Sequence, residues 1–205
     1  MLNFKILFDV GANSGTRFFE ELKHDQTNTK LFMFEPTPYL IGLLKEKYKN
    51  LNNWQLEEYA VSNFNGEAKF KVAGQWDWGC SSLMNFREDI KQTWPVSRVT
   101  GDLKVTEIIK VKVKTLKQFL IENPSIDKID FLHIDTQGSD LNVLKGLEEY
   151  IKIVDAGQME AAYNAPLYDN SPSKDECIEF LQKNNFKILK IDGGPHECDI
   201  HFLKK

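Results

Sequence analysis

Three carboxylates stand where short apolar runs give way to turn-forming residues. Asp9 lies two residues before Gly11 in LFDVGANSGT, Glu35 closes KLFMFE before Pro36, and Asp135 closes FLHID before Thr136–Gln137–Gly138. Gly11 and Gly15 let the backbone turn tightly and approach a ligand with no Cβ in the way. The first amides of a helix after such a turn are free donors. Glu35 lies twenty residues past Gly15, where a nucleotide site keeps the acid that takes the ribose hydroxyls. The turn is not the G-x-G-x-x-G of a dinucleotide site, because Asn13 holds the middle position. A carboxylate as close as Asp9 would repel a pyrophosphate. It suits a ligand with an amine, a sulfonium and no phosphate, and S-adenosylmethionine (SAM) has that constitution.

Asp135 is the first candidate for a general base, with a place at a strand end that points it into a crevice. His133 lies two residues earlier, on the same face of the strand, and has the better pKa for proton transfer. Glu160 ends the next apolar run. It could orient an acceptor, or share a divalent ion with Asp135, although nothing in the sequence fixes a metal. HECDIH, His196 to His201, lacks zinc-finger spacing and reads as a loop entering a strand. His24 reads as a solvated helix end. Cys80, Cys177 and Cys198 are far apart and form no C-x-x-C, so reduced thiols are expected.

The elements that must hold these groups alternate. FKILFDV, KLFMFEP, WQLEEYAVS, KIDFLHID and KIVDAGQME read as strands. GTRFFEELKH, TPYLIGLLKEKYKN, TLKQFLIEN, SDLNVLKGLEEYI and SKDECIEFLQKNN read as helices, with Thr37, Thr115 and Ser139 as caps. Leu40, Ile41, Leu44 and Tyr48 recur at helical spacing. GEAKFKV places Ala68, Phe70 and Val72 on one face of a hairpin arm, and EIIKVKVKTL is a further strand. FKILKID and CDIHFLKK close the chain as an antiparallel pair. This order predicts an α/β fold of Rossmann-like type: a mostly parallel twisted sheet, helices on both faces, and an antiparallel C-terminal edge hairpin. Residues 1–205 read as a single domain, with an aromatic, non-periodic insertion at 73–106.

The stretches DVGANSG, FEPTP, AVSNFNGEAKF, VKVKTLKQFL and FLHIDTQGSDLNVLKG, with the later Met159–Glu160, resemble FkbM-type SAM-dependent methyltransferases. They occur in that family's order, from Phe8 to about Glu160. The resemblance implies the class I methyltransferase fold, SAM as donor, S-adenosylhomocysteine as product, and O-methylation of a sugar, glycan or related hydroxyl. It places Asp9, Gly11, Asn13, Gly15 and Glu35 on the donor, with Ala60 and Val61 beside the adenine. The chain departs from the family in having His133 where Lys is usual and Asp140 where Glu is usual. Methyl transfer needs an aligned oxygen and a base for its proton, the part given to Asp135, His133 and Glu160. Aromatic faces and polar neighbours suit a sugar ring, so Trp76, Trp78, Ser81, Ser82, Tyr163 and Asn164 are the expected acceptor contacts.

Composition narrows the field. A net charge of −4 does not suit a general nucleic-acid binder. No apolar run approaches bilayer length and no leader precedes the first strand, which points to the cytosol. The competing readings are an NAD-binding oxidoreductase, opposed by Asp9 and the missing glycine, and a non-catalytic protein on the same fold. Acceptor identity and oligomeric state are not written in the sequence.

Overall fold

Ile6–Val10 is a short branched and aromatic run, and it becomes the middle of a sheet. The computed structural model describes residues 4–24, 28–74, 79–93, 103–163, 166–194 and 196–205. The first half contains β1 (Ile6–Val10), α1 (Phe19–His24), β2 (Lys30–Phe34), α2 (Pro38–Tyr48), β3 (Trp54–Glu57), β4 (Ala60–Val61), β5 (Gly66–Ala73) and α3 (Ile90–Thr93). The second half contains β6 (Val105–Lys114), α4 (Leu116–Glu122), β7 (Ile129–Ile134), α5 (Asp140–Lys145), a 3₁₀ turn (Glu148–Ile153), β8 (Val154–Ala162), α6 (Lys174–Lys183), β9 (Phe186–Gly193) and β10 (Glu197–Lys204).

Seven strands form one sheet in the order β3-β2-β1-β7-β8-β10-β9. β1 pairs in parallel with β2 and β7, and β7 with β8. The C-terminal hairpin closes one edge as expected, with β10 threaded between β8 and β9 and antiparallel to both. Alternation sorts the side chains. Phe8, Val10, Phe32, Phe34, Leu132 and Ile134 pack under α4, α5 and α6, while Leu7, Leu31 and Met33 pack under α1 and α2. Phe119 of α4 is the hub of the first layer, meeting the rings of Phe8, Phe32 and Phe34 edge-on at 5.6, 5.5 and 5.1 Å.

Two elements differ from the sequence reading. WQLEEYAVS is not one strand. β3 pairs with β2, the chain then bends, and β4 leaves to pair in parallel with β6. β4, β6 and β5 make a separate three-stranded sheet, in which β5 and β6 are antiparallel. Tyr59 drives the bend, because its buried ring meets Phe34 at 5.9 Å. Nor is SDLNVLKGLEEYI one helix. It ends at Lys145 with Gly146 as C-cap, Glu148 adopts φ +48, and a Cβ on Gly146 would lie 2.4 Å from the Ser62 carbonyl oxygen. The backbone is thereby held against the segment that follows β4.

The caps divide. Thr115 accepts from the Gln118 N–H at 3.0 Å, whereas Thr37 and Ser139 make no side-chain cap bond. Ser173 and Glu176 form a reciprocal capping box on α6. The face of α2 follows the predicted spacing, with Leu40, Ile41, Leu44 and Tyr48 buried. His24 is exposed at the end of α1, and all three cysteines are free and buried.

Phe119→Ala removes the ring on which three aromatic side chains of the sheet converge. The expected loss is about 3–5 kcal/mol of folding free energy, as for other fully buried phenylalanines. Chemical denaturation of the variant beside the parent checks it, and Phe119→Leu should retain most of the stability.

Candidate functional site

The ends of β1, β2 and β7 meet at one point. The Gly11 and Ala12 N–H groups both donate to the Phe34 carbonyl at 3.1 Å, and the Asp135 N–H donates to the Val10 carbonyl at 2.9 Å. Gly11 has φ +82, and a Cβ there would lie 1.9 Å from the Asp135 carbonyl oxygen. No other residue type fits. Gly15, at φ +62, faces α2, where a Cβ would lie 2.4 Å from Leu44 Cδ2. Tyr48 Oη donates to the Gly15 carbonyl at 2.9 Å. Gly15 therefore shapes the turn from behind and lines neither of the grooves described next.

Glu35 is buried, yet its carboxylate is matched. The Asn13 N–H donates to Oε2 at 2.9 Å and the Thr37 N–H to Oε1 at 2.8 Å. One acid thus fixes both the glycine turn and the entry to α2.

Two grooves open from this point. In the first, Phe34, Ala60, Val61, Phe70 and Leu83 supply apolar walls and Glu35 a polar end. The second is floored by Asp9 and His133 and flanked by Arg17 and Tyr39. Gly11, Asn13, Gly79 and Asp135 belong to both. The first is a slot for a flat apolar ring with a hydroxylated neighbour. The second is charged.

In the second groove His133 Nδ1 lies 2.8 Å from Asp9 Oδ1 across the β1–β7 pairing. Burial works against the imidazolium, but the hydrogen bond and charge of Asp9, with the charge of Asp135, outweigh it and raise the His133 pKa. Asp9 is 1% exposed, and its Oδ2 has no partner among the described residues.

Behind the junction, Gln137 joins the two other acids proposed from sequence. Its Nε2 donates to Asp135 Oδ1 at 2.7 Å and to Glu160 Oε2 at 2.9 Å. The carboxamide stands between the carboxylates where a shared divalent ion was weighed. Among the described residues no three His, Cys, Asp or Glu side chains are grouped to hold a metal. Burial lifts the Asp135 carboxyl above the usual range, against the Gln137 hydrogen bond and the His133 charge. Burial, then the charge of Asp135, lifts Glu160 well above it. Asp140, 2% exposed, is pushed up to about 8 by burial and then by Asp135. The Thr136 N–H and hydroxyl lie 3.4 and 3.2 Å from its two oxygens. Gln137 itself sits at φ +56 and is locked by Tyr168 Oη, 2.9 Å from its Oε1, and by Ser82 Oγ, which donates to its carbonyl at 2.6 Å.

The expected acceptor contacts separate. Ser81 lines the first groove, with its Oγ accepting from the Ala73 N–H at 3.0 Å. Ser82 is buried and serves Gln137. Tyr163 is 46% exposed beneath Lys174 and lies away from both grooves. Trp76, Trp78 and Asn164 lie outside the described residues. His201 points to Asp192 at 3.2 Å on the β9–β10 pair, away from His196 in the preceding loop. Gln137, Tyr168, Phe34, Phe70 and Leu83 escaped the sequence reading. Only Gln137 carried a signal, by standing beside Gly138 in the turn after Asp135.

A parallel sheet with one antiparallel strand next to its edge, opening a slot at the ends of β1 and β2, has the architecture of class I methyltransferases. The family model of the methyltransferase FkbM domain matches residues 9–188, and the chain belongs to that family. "Methyltransferase 1" of Beauveria bassiana is 23% identical over 207 residues, covering 96% of this chain and 79% of that protein. The "2-O-methyltransferase NoeI" of Sinorhizobium fredii is 27% identical over 150 residues, covering 70% of this chain and 58% of that protein. The crystal structure of methyltransferase FkbM from Methylobacillus flagellatus superposes with a TM-score of 0.55 at 12% identity, covering 98% of this chain and 44% of that one. Fibrillarin of Aeropyrum pernix, solved with S-adenosyl-L-methionine bound, gives a TM-score of 0.50 at 11% identity, covering 98% of this chain and 66% of that one. The chain thus spans less than two thirds of NoeI and under half of the FkbM crystal structure. No helix among the described residues is long and apolar enough to cross a membrane.

Asp140 gives a pH signature. Its pKa is raised on folding, so its contribution to stability is full below about 4, the unfolded value, and is lost as pH rises toward about 8. Asp140→Asn should flatten the decline in stability over that window. Denaturation midpoints measured from pH 4 to 9 read the difference.

Proposed function

We propose that the chain moves a methyl group from SAM to a hydroxyl oxygen of a sugar, glycan or related acceptor. The observation that carries this reading is the joint opening of the Glu35-braced turn and Asp135 onto one junction between an apolar slot and a charged groove. The residues present fit the donor. A Cβ at Gly11 would strike the Asp135 backbone, so the turn keeps its floor open. Glu35 is held by the Asn13 and Thr37 amides and lines the slot. When bound, SAM supplies an electrophilic methyl carbon on a sulfonium.

The protein's own groups divide the work. Glu35 accepts from the ribose hydroxyls, and Phe34, Ala60, Val61 and Leu83 enclose the adenine. Asp135 takes the proton of the acceptor hydroxyl. A carboxylate whose pKa burial has raised is the better base. His133 is the weaker candidate, because Asp9 favours its protonated form; it supports the groove floor instead. Glu160 acts through Gln137, one layer behind. Methylation of oxygen draws support from the relative named a 2-O-methyltransferase.

Glu35→Ala removes charge-assisted hydrogen bonds and the turn's brace together. SAM affinity should fall by about 1.5–3 kcal/mol by calorimetry, and unchanged affinity would sink the donor assignment. SAM, but not NAD, should raise the melting temperature of the parent protein. Asp135→Asn keeps the shape and loses the base. Single-turnover methylation across sugars, nucleotide sugars and glycan fragments should fall roughly 10²–10⁴-fold, with donor affinity changed far less than in Glu35→Ala. Near-normal turnover would transfer the base role to another group.

A further inference from the structure

The small sheet has two unlike faces, because neighbours on a strand point to opposite sides. On the inner side Phe70, Val111 and Val113 pack into a core of their own, and Phe70 also walls the apolar slot. The outer side is cationic. Register sets Lys69 opposite Lys110, Lys71 opposite Ile108, and Lys112 opposite Glu67. Four lysines thus face outward beside one glutamate, on a chain whose net charge is −4.

Little of this charge is consumed within the protein. Lys110 pairs with Glu67 at 2.6 Å, but both side chains are more than half exposed, and such pairs are weak. Lys71 Nζ donates to the Leu83 carbonyl. Lys69 and Lys112 are exposed and form no ion pair among the described residues. Amid the lysines stands Ile108, 58% exposed. An aliphatic side chain ringed by ammonium groups gains nothing from water or from a soluble polyanion. It suits the boundary between lipid headgroups and acyl chains. Among the described residues of β5 and β6 the outer face has no arginine and no aromatic ring. It therefore lacks the fork that grips a phosphate and the platform on which bases stack.

We propose that the outer face of β5 and β6 docks on an anionic lipid surface, with the lysines on the headgroups and Ile108 entering the layer beneath them. Lysine stems can lie along apolar surface while the ammonium stays among the headgroups. Phe70, on the inner side of β5, would then hold the slot one sheet thickness behind the lipid. Docking of this kind is independent of what fills the slot.

Sedimentation with two kinds of vesicle reads the docking directly: phosphatidylcholine alone, and phosphatidylcholine with phosphatidylglycerol in equal parts. The parent should bind the second and not the first, and should be released as salt rises. Each lysine near an anionic leaflet strengthens binding about fivefold. Lys69→Glu with Lys112→Glu should therefore weaken binding about twenty-five-fold or more, and Ile108→Ala severalfold. Lys183→Glu with Lys187→Glu makes the same change of net charge on α6 and β9, and should bind nearly as the parent does. All these side chains are exposed, so each variant should melt with the parent. Failure of the parent to bind the anionic vesicles, equal binding to both kinds, or equal losses in the two charge-reversed variants would overturn the proposal. So would retention on heparin or single-stranded RNA that is stronger than on vesicles and indifferent to Ile108→Ala, which would give the face to a soluble polyanion.

Discussion

The carbonyl oxygen of Asp135 occupies the place where a side chain on residue 11 would be. This contact sets how closely the ends of β1 and β7 approach, and most of the site follows from it. With β1 and β7 in contact there, the backbone of Asn13 reaches Glu35 on β2. The turn braced by Glu35 and the strand end that carries Asp135 then share a wall. A methyl group on residue 11 would part the strands, and the two grooves would no longer meet. The separation of the two grooves is thus set by main-chain contact between rigid strands.

The same closeness concentrates negative charge. Asp9, Asp135, Asp140 and Glu160 lie on neighbouring elements. Each has a different remedy. Asp9 takes a histidine, Asp140 the amide and hydroxyl of Thr136, and Asp135 and Glu160 share the carboxamide of Gln137. A carboxamide is a donor that never titrates, so it steadies the pair without neutralising it. Burial first, and then the charge of Asp9, raises the pKa of Asp135, at a cost in stability near neutral pH. Tyr168 and Ser82 come from segments far apart in sequence and both converge on Gln137. The segment after β5 is thereby tied to the site.

Much of this was legible in residue order. The runs that became β1, β2, β7 and β8 are short, apolar and bounded by turn residues, so their ends could be located. Glu35 and Asp135 are strand-end residues and could be placed with them. The rest depends on contacts that sequence order does not carry. Tyr59 packs its ring on Phe34, and Gly146 brings the backbone against Ser62. The bridging role of Gln137 comes from a partner 23 residues away. Thr37 has the type and position of a cap, but its backbone N–H serves Glu35 and its hydroxyl caps nothing.

β10 lies between two strands that both precede it in the chain. During synthesis β8 and β9 emerge first, and neither can pair with the other across the place kept for β10. Until β10 arrives, β8 presents a full row of unpaired amides and carbonyls, the kind of edge that recruits foreign strands. β9 meanwhile leans on α6 alone. Insertion of one strand closes both exposed edges in a single event.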